Sequence, residues 1–475
     1  MSRPWSMRIS AEHWAQLHSH LFPGDSREHA ATLRCGLADT PSGVRLLVRE
    51  VTPARDGIDF IQRPDGTHVL VASFVLDNVL RAATDHSVYI AAHCHGGADE
   101  VGFSGTDLAS HENSYPAILH RTKAPAVGAL VFARNAVAGD MWLQDGRQVP
   151  LHHLTVTGPN LQVLTSSPAP VAQADSAYDR QARLFGDRGQ AMLRAQKVAV
   201  VGLGGAGSLL SQTLSRLGVG QLLLIDDDRV ETSNLSRLVG ATHRDARTWL
   251  TDDQRPEWVR RLGRRLSTPK VTVAARVART APVPPDVHAV FRSVLEPDVA
   301  ALLRDCDHIF LAADTAPAEL LVNAVGHQYL IPVTQVGAKV NIDRTTGTVR
   351  QAYAVSRLNG PRSGCLRCTG LVSSDRLRRD ATDPTQLRRQ DYVGGENIAA
   401  PSVITLNAVA TSLAANDWLT RTVGLNRSNA STWWTHADAL KGTTARDIAT
   451  TLPECPWCGP EHFGVGDAGS LPTRH

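Results

Sequence analysis

The sequence feature that most constrains the fold is the stretch between Lys197 and Ile225. An apolar strand-like run, Lys197–Gly202, leads into a glycine-rich turn. A helical pattern over Ser208–Leu217 then precedes a second apolar run, Gln221–Ile225. A strand, a crossover helix and a second strand form the repeating unit of a parallel sheet. The apolar runs His308–Ala313 and Ile331–Gln335 continue the pattern. We therefore predict that the second half is an α/β domain with a mainly parallel sheet.

The turn after the first strand predicts a nucleotide site. Asp226 closes the second strand, where a carboxylate can accept hydrogen bonds from ribose hydroxyls, and Asp228 belongs to the same acidic cluster. On these features alone, an NAD-dependent oxidoreductase remains a candidate. The turn's glycines would let backbone N–H groups approach a phosphate at the positive end of the helix: Gly202, Gly204, Gly205 and Gly207.

The basic residues around this turn favour ATP over a nicotinamide. Asn234, Arg237, Lys270 and the upstream Arg180 are superfluous for a nicotinamide but useful around a triphosphate. Cationic side chains neutralise charge on phosphate oxygens. Asp314 follows an apolar strand and is placed to hold Mg²⁺.

A second, unrelated set of chemical groups lies in the first half of the chain. His93 and His95 follow a predicted strand, and period-2 alternation places both imidazoles on one face. Two such imidazoles can hold one zinc ion, and Asp107 can supply a third ligand. The fourth position stays open for water, as a catalytic site requires. Glu28 is the candidate general acid and base.

Simpler explanations exist for parts of this set. Ser104-x-x-Asp107 also fits a helix capping box, and an isolated His-x-His pair is more often structural or solvent-facing. Four neighbouring side chains compete as ligands: Asp99, Glu100, His111 and Glu112. The surrounding sequence predicts an α+β domain with one early helix and several short strands. We place that helix near Ala11–Leu21 and the strands at Val44–Val51, Val69–Val75 and Val88–Ala92.

Four of the seven cysteines form two pairs, Cys365-x-x-Cys368 and Cys455-x-x-Cys458. Two such pairs can close a tetrahedral structural zinc site, although a redox pair or unpaired buried thiols are alternatives. Metal-bound thiolates fit a reducing compartment better than disulfides do, which favours the cytoplasm.

Composition restricts the partners. The net charge of +3 is too small to indicate nucleic-acid binding, and no run of 18 apolar residues indicates a membrane span. Residues 166–177 are rich in Pro, Ala and Ser and predict a linker. We thus expect one domain over residues 1–165 and another over 178–475.

The first domain resembles the JAB/MPN metalloprotease family. The resemblance rests on Glu28, then HCHGGADEVGFSGTD, then VGALVFARNAVAGDMW. It implies that His93, His95 and Asp107 bind a catalytic zinc ion, that Glu28 is the acid/base, and that Ser104 stabilises the oxyanion. The family cleaves isopeptide or peptide bonds after the C-terminal glycine of ubiquitin-like proteins.

The second domain resembles the ThiF/MoeB and ubiquitin-activating enzyme family. The resemblance rests on YDRQARLFG, VAVVGLGGAGS, LLLIDDDRVETSNLSR, TPK and LAADT. It implies a Rossmann-like fold, Asp226 at the ribose, and adenylation of a ubiquitin-like protein's C-terminal carboxylate. Phosphate contacts fall to Asn234, Arg237 and Lys270, with Asp314 at the magnesium. It further implies a homodimer in which Arg180 acts across the interface, and a structural zinc ion on the two cysteine pairs.

Together the two resemblances predict a bifunctional enzyme of a bacterial ubiquitin-like conjugation system, of a kind sometimes linked to phage defence. The alternative is sulfur-carrier activation coupled to a carrier-cleaving protease. Residues Thr369–Pro401, where related enzymes hold an acyl-accepting cysteine, contain none. We therefore expect a partner, such as a conjugating enzyme, to accept the acyl group; a hydroxyl such as that of Ser373 or Ser374 is the alternative acceptor. The stretch between Arg237 and Lys270 is longer than in the family, and residues 241–266 predict a charged, partly helical insertion.

Overall fold

The computed structural model describes residues 3–63, 68–343, 346–360, 364–381, 401–428, 434–449, 451–452 and 454–474. The chain forms two units. The first contains Met1–Pro170, His327–Leu330 and Cys458–Ser470, and the second contains Val171–Gly326, Ile331–Trp457 and Leu471–His475. Most of the predicted crossover region, residues 382–400, lies outside the described residues.

Within its described residues, the first unit is built on one large sheet with three helices. The helices are α1 (Ala11–Leu21), α2 (Ala72–Thr84) and α3 (Gly105–Thr122). The strands are β1 (Trp5–Ser10), β2 (Ala30–Thr40), β3 (Gly43–Pro53), β4 (Phe60–Gln62), β5 (His68–Leu70), β6 (Val88–Cys94), β7 (Ala126–Phe132), β8 (Val137–Leu143), β9 (Gln148–Thr157) and β10 (Gln162–Leu164). The order in the sheet is β1-β3-β2-β6-β7-β8-β9-β10, and β1 also pairs with β9, so the sheet closes on itself. β4 and β5 form a separate hairpin.

The predicted elements of this unit are largely present, with one error. The helix Ala11–Leu21 has the predicted bounds because the Ser10 hydroxyl accepts a hydrogen bond from the His13 backbone N–H and caps it. The prediction of a strand over Val69–Val75 was wrong, since β5 ends at Leu70 and α2 begins at Ala72. A short apolar run does not by itself distinguish a strand from the first turn of a buried helix.

The second unit contains one mixed sheet. Its helices are α4 (Asp179–Ala195), α5 (Gly205–Leu217), α6 (Thr248–Thr251), α7 (Glu257–Leu266), α8 (Lys270–Ala278), α9 (Pro297–Leu303), α10 (Ala316–Gln328), α11 (Ser374–Ala381) and α12 (Ile404–Thr422). Its strands are β11 (Lys197–Val201), β12 (Gln221–Ile225), β13 (Asp286–Val290), β14 (His308–Leu311), β15 (Val333–Ile342), β16 (Val349–Asn359), β17 (Trp434–Asp438) and β18 (Thr443–Asp447).

The sheet order is β13-β12-β11-β14-β15-β16-β17-β18. The pairings from β13 to β15 are parallel, and those from β15 to β18 are antiparallel. The expectation of a mainly parallel sheet therefore applies only to the half that contains the glycine-rich turn. Strands β11, β12 and β14 are buried on both faces, which explains their continuous apolar runs.

The register of the central strands brings the predicted nucleotide residues together. Val201 at the end of β11 pairs with Ile225 on one side and Leu311 on the other. The glycine-rich turn, Asp226 and the segment leading to Asp314 therefore leave the sheet side by side at the carboxyl edge, where α/β folds bind ligands. No helix within the described residues is long and apolar enough to cross a membrane.

Candidate functional site

The first unit gathers two imidazoles and a carboxylate at the end of β6. His93 Nε2 and His95 Nε2 lie 3.1 Å apart. Asp107, in the first turn of α3, places Oδ1 3.4 Å from His93 Nε2 and Oδ2 3.5 Å from His95 Nε2. One ligand atom of each residue lies within 4.8 Å of the others, a spacing that suits a shared metal ion. All three side chains are partly buried.

Ser104 caps α3 and at the same time orients Asp107. The Ser104 backbone N–H and hydroxyl both donate to Asp107 Oδ2 at 2.7 Å, and the Asp107 backbone N–H donates to Ser104 Oγ at 3.2 Å. The capping box is thus real, but it leaves Oδ1 directed toward His93. Burial raises the pKa of Asp107, but hydrogen bonds from His93 and Ser104 and the His93 charge outweigh it. The pKa therefore lies well below its usual range.

Glu28 lies beside the histidines, just before β2. Its Oε1 is 3.8 Å from His95 Nε2, and its Oε2 is 3.6 Å from His68 Nδ1. A cavity of about 900 Å³ opens here, lined by Glu28, His68, His95, Ser104 and Asp107 among others. The Glu28 carboxylate is therefore close enough to exchange a proton with a group in the cavity through one water.

Among the described residues, none of the four competing ligands belongs to the group formed by His93, His95 and Asp107. Asp99 accepts a hydrogen bond from Asn135 Nδ2 at 3.0 Å. His111 is buried and stacks on Tyr115 with ring centroids 4.7 Å apart, and burial lowers its pKa to about 4. His111 lines a second cavity, of about 610 Å³, whose wall is mostly apolar and which reaches His93 and Asp107. The structure therefore places His111 as a neutral wall residue of that cavity.

In the second unit, the backbone of the glycine-rich turn packs so closely that some of its positions leave no room for a side chain. A Cβ on Gly207 would lie 1.9 Å from the Gly202 carbonyl oxygen, and one on Gly202 would lie 2.5 Å from the Ala313 nitrogen. Gly202 also has a φ of +87°. Gly204 differs, because its ideal Cβ would meet nothing within 4 Å. The space beside Gly204, at the N-terminus of α5, is open to an anion.

Asp226 is partly buried and holds this turn through two hydrogen bonds. Its Oδ2 accepts from the Leu203 backbone N–H at 2.5 Å, and its Oδ1 accepts from the Asp228 backbone N–H at 2.8 Å. Burial raises the pKa of Asp226 above its usual value, against the opposing charge of Lys270. Lys270 Nζ donates to Asp228 Oδ2 at 2.6 Å. The structure thus groups Asp226, Asp228 and Lys270 beside the glycines.

Arg237 also reaches the turn, whereas Asn234 holds the backbone. Arg237 Cδ lies 3.5 Å from the position that a Cβ on Gly205 would occupy, and its guanidinium donates to the Ser233 carbonyl at 2.7 Å. Asn234 is buried, and its Oδ1 accepts from the Glu231 backbone N–H at 3.2 Å. The Asn234 side chain therefore stabilises the short turn that leads to Arg237.

Asp314 follows β14 and lies under α11. Its side chain is exposed, while its carbonyl accepts from the Arg376 guanidinium at 3.0 Å. Arg376 also pairs with Glu319 at 2.7 Å, and Asp380 accepts from the Ala316 backbone N–H at 2.7 Å. Two side chains of α11 thus fasten it to the start of α10, next to Asp314.

Arg180 is not among the residues gathered at the turn. It lies exposed in the first turn of α4, and within the described residues its side chain makes no hydrogen bond or ion pair with the glycine-rich turn. Its predicted role across a dimer interface remains a prediction.

The four paired cysteines lie together. Cys365 Sγ is 3.6 Å from Cys368 Sγ and 3.7 Å from Cys455 Sγ, and the Sγ atom of Cys458 falls within the same 4.8 Å group. These separations suit four thiolates around one tetrahedral metal ion. The other three cysteines, Cys35, Cys94 and Cys306, are buried.

Comparison with known protein families agrees with the geometry of the second unit. The model of the ThiF family matches residues 178–457, more than half of the chain. The chain belongs to the ThiF family.

Several proteins are similar to this ThiF-family chain over part of its length. The SAMP-activating enzyme E1 of Haloferax volcanii is 34% identical over 140 residues, which cover 30% of this chain and 44% of the relative. The sulfur carrier protein ThiS adenylyltransferase of Bacillus subtilis is 30% identical over 158 residues, 33% of this chain and 41% of the relative. The chain thus spans less than half the length of these relatives. A crystal structure of Escherichia coli MccB with ATP covers 90% of this chain and all of that one, with 17% identity and a TM-score of 0.43.

The structure of this ThiF-family chain also adds a residue that the sequence did not indicate. Asn407, on α12, is buried, and its Nδ2 lies 2.2 Å from where a Cβ on Gly205 would be. Its Nδ2 also donates to Ser402 Oγ at 3.1 Å. The two positions are separated by 202 residues, and no local spacing could link them.

Proposed function

We propose that the second unit of this chain adenylates the C-terminal glycine of a ubiquitin-like protein, using ATP. The observation that carries this proposal is the convergence of the glycine-rich turn, Asp226 and the Asp314 segment at one sheet edge, in a chain of the ThiF family. Two of its relatives are named for the activation of small carrier or modifier proteins.

The glycine-rich turn and the residues around it would contact different parts of ATP. Backbone N–H groups at the start of α5 would face the phosphates beside Gly204, and Asp226 would accept hydrogen bonds from the ribose. Arg237 and Lys270 would offset charge on the phosphates as pyrophosphate leaves. The substrate carboxylate would attack the α-phosphate, forming an acyl-adenylate.

Asp314 suits a magnesium ion because its carboxylate is exposed at the carboxyl edge, next to the turn. Bound there, magnesium would offset charge on the triphosphate. We further propose a homodimer through this unit, in which Arg180 of one copy serves the other.

The acyl group would leave on a partner's nucleophile. Cys306 is fully buried, and burial raises the pKa of both Cys35 and Cys94. A thiol that is protonated and inaccessible is a poor acceptor. We propose a conjugating enzyme as that partner, and the free cysteines fit a cytoplasmic protein.

We also propose that the first unit cleaves the peptide or isopeptide bond that follows the same glycine. His93, His95 and Asp107 supply the nitrogen and oxygen donors that zinc prefers and leave one position open. Zinc held there would polarise the scissile carbonyl and lower the pKa of water. Glu28 would take that water's proton and deliver it to the leaving amine. The Ser104 backbone N–H would keep Asp107 oriented, while the Ser104 hydroxyl would turn from Asp107 to donate to the oxyanion.

A second zinc ion on the four cysteines would have a structural role. Four thiolates complete a tetrahedral shell, so no position would remain for substrate. Native mass spectrometry should find two zinc ions per chain. Cys365→Ser should remove one of them and leave hydrolysis by the first unit intact.

The experiment that tests the pair of activities uses one ubiquitin-like protein in two forms. The mature form, ending in glycine, should support exchange of labelled pyrophosphate into ATP. A form extended by a C-terminal tail should be cut after that glycine. Transfer to protein lysines would support conjugation, whereas sulfide-dependent thiocarboxylate would support sulfur-carrier activation instead. Failure of both assays with every glycine-ended candidate would contradict the proposal.

A further inference from the structure

The α6–α7 hairpin presents an apolar surface that its own fold leaves uncovered. Trp258, Leu262 and Leu266 are spaced by four residues and so form a line along α7. Their exposed fractions are 71%, 44% and 51%. Large apolar side chains exposed in a contiguous line commonly mark a binding surface.

α6 covers only one edge of the apolar face of α7. A Cβ on Gly263 would lie 2.7 Å from Leu250 Cβ, which shows that the two helices approach closely on that side. The line formed by Trp258, Leu262 and Leu266 lies on the adjacent, open side. Trp249, on α6 itself, is also exposed and carries the Arg247 guanidinium over its ring at 5.5 Å.

Charge along α7 is distributed unevenly. Glu257 pairs with Arg260 and Arg264, both at 2.6 Å. Arg261 and Arg265 are exposed and, within the described residues, make no hydrogen bond or ion pair. They lie three and seven residues after Trp258, so they border the apolar line. The open surface is therefore apolar with a cationic edge.

This charge pattern argues against a second copy as the occupant. An antiparallel two-fold pairing of α7 through the apolar line would bring the edge bearing Arg261 and Arg265 against the same edge of the other copy. Four unpaired guanidinium groups would then face one another. An anionic bilayer is disfavoured as well, since the hairpin also carries Asp252 and the fully exposed Asp253 in the loop between α6 and α7.

The hairpin is bonded to the segment that holds the nucleotide residues just after the end of α7 and at the last residue of α6. Arg229 donates to the Ser267 carbonyl at 2.6 Å, and the Val230 N–H donates to the Thr268 carbonyl at 2.9 Å. Thr251 Oγ1 lies 3.5 Å from Thr232 Oγ1. A protein bound to α7 would thus be held next to the segment that carries Asn234 and Arg237.

We propose that the α6–α7 hairpin docks the ubiquitin-like substrate through an acidic surface with an apolar centre. The inference rests on the proposed adenylation, because the protein that must reach the glycine-rich turn is the one whose carboxylate is activated. Trp and Arg are the side chains that most often dominate such interfaces.

The test uses an acidic ubiquitin-like protein ending in Gly-Gly and a peptide of its last six residues. The variants are Trp258→Ser/Leu262→Ser and Arg261→Glu/Arg265→Glu in the full chain. For the whole protein, KM in pyrophosphate exchange and Kd by calorimetry without ATP should rise roughly tenfold or more. For the peptide, exchange by the variants should equal that of the native chain, which also shows that they fold.

Matched control variants change exposed residues elsewhere in the second unit, Ile448→Ser and Arg427→Glu, and should leave both constants unchanged. Native KM and Kd in the hairpin variants would overturn the inference, as would a change confined to oligomer size or to binding of phosphatidylglycerol vesicles. If native chain shows no exchange but its Kd still rises in the variants, the adenylation proposal fails and the docking surface stands. If the native chain neither exchanges nor binds, both fail.

Discussion

Gly204 and Gly207 belong to one turn but have different structural reasons to be glycine. A Cβ on Gly207 would overlap the Gly202 carbonyl oxygen, while one on Gly204 would project into open space. We expect Gly207→Ala to cost roughly 3 kcal/mol or more of folding free energy through backbone displacement. Gly204→Ala should leave the melting temperature nearly unchanged yet weaken ATP binding, because its methyl group would occupy the place proposed for a phosphate. Calorimetric melting and ATP titration would separate the two; equal ATP affinity in Gly204→Ala would contradict this account of the turn.

Glu28 and His95 allow the proposed proton transfer to be separated from metal binding. Glu28 lies 3.8 Å from His95 Nε2 but outside the group of three candidate ligands. Glu28→Gln should therefore keep the zinc content of the first unit and slow hydrolysis of a tail fusion by about 10²–10⁴-fold. His95→Gln should lose both zinc and activity. Metal analysis and cleavage assays on the same samples decide the matter, and zinc loss in Glu28→Gln would show that the glutamate is a ligand.

At this scale the sequence predicted what local spacing can encode. The His93–His95 pair and the four glycines could be found because two residues on one strand, or four in one turn, keep fixed relations. His68 beside Glu28 and Asn407 against Gly205 could not, since each contact joins distant segments. The capping box of Ser104 and Asp107 illustrates a third case. The sequence offered a helix cap and a metal ligand as competing explanations. In the structure, Asp107 Oδ2 takes part in the cap while Oδ1 faces His93.

Among the elements, α10 and α11 are joined by the ion pair between Glu319, which is buried, and Arg376, which is partly exposed. Burial raises the pKa of Glu319 to about 7, although Arg376 opposes the shift. The unfolded value is near 4.3, so the folded protein binds more protons between these pH values. This contribution to stability is therefore present at pH 4 and lost as the pH rises toward 7, with a size of up to about 3 kcal/mol.

Glu319→Gln should remove that dependence. The melting temperature of the native second unit should fall more steeply between pH 4 and 7 than that of the variant, as followed by scanning calorimetry. Arg378→Gln is a control, because its pairing with Asp375 is at the surface and contributes little. Parallel pH profiles for the native chain and Glu319→Gln would rule out the proposed titration.

The secondary-structure predictions were correct where the spacing of apolar residues fitted only one type of element. The strand–turn–helix–strand stretch of β11, α5 and β12 was found because continuous apolar strands frame a long helix. The run Val69–Val75 failed because it spans the end of β5 and the start of α2, two elements with different periods. The antiparallel strands β16 to β18 were not anticipated, since they alternate or are exposed and lack a continuous apolar run.

For the whole molecule, the order of the chain differs from the order of the units. Residues 458–470 follow nearly all of the second unit, yet they belong with the first. Gly466 forms a bridge with Leu37 of β2, and the Asp467 N–H donates to the Leu37 carbonyl at 2.8 Å. Gln328 Nε2 also donates to the Gly466 carbonyl at 2.8 Å. We expected domains over residues 1–165 and 178–475 from composition. Composition can indicate a linker, but it cannot indicate that residues 458–470 pair with a strand more than 400 residues earlier.

Gly36 is the position where this return can be tested. A Cβ on Gly36 would lie 2.1 Å from the Gly464 carbonyl oxygen and 2.8 Å from the Val465 carbonyl carbon, so only glycine lets the returning segment pass this close to β2. Gly36→Ala should displace the segment while β2 remains paired with β3 and β6. Hydrogen exchange should then speed up at the backbone amides of Gly464, Gly466 and Asp467, whose bonds to the His327, Gln328 and Leu37 carbonyls are lost. Amides of the second unit's central strands should keep their protection.

Gly102→Ala is the matched control, since a Cβ there meets nothing within 4 Å. If Gly36→Ala leaves the exchange of the Gly464, Gly466 and Asp467 amides as slow as in the control, the C-terminal segment does not depend on this contact and the first unit is complete without it.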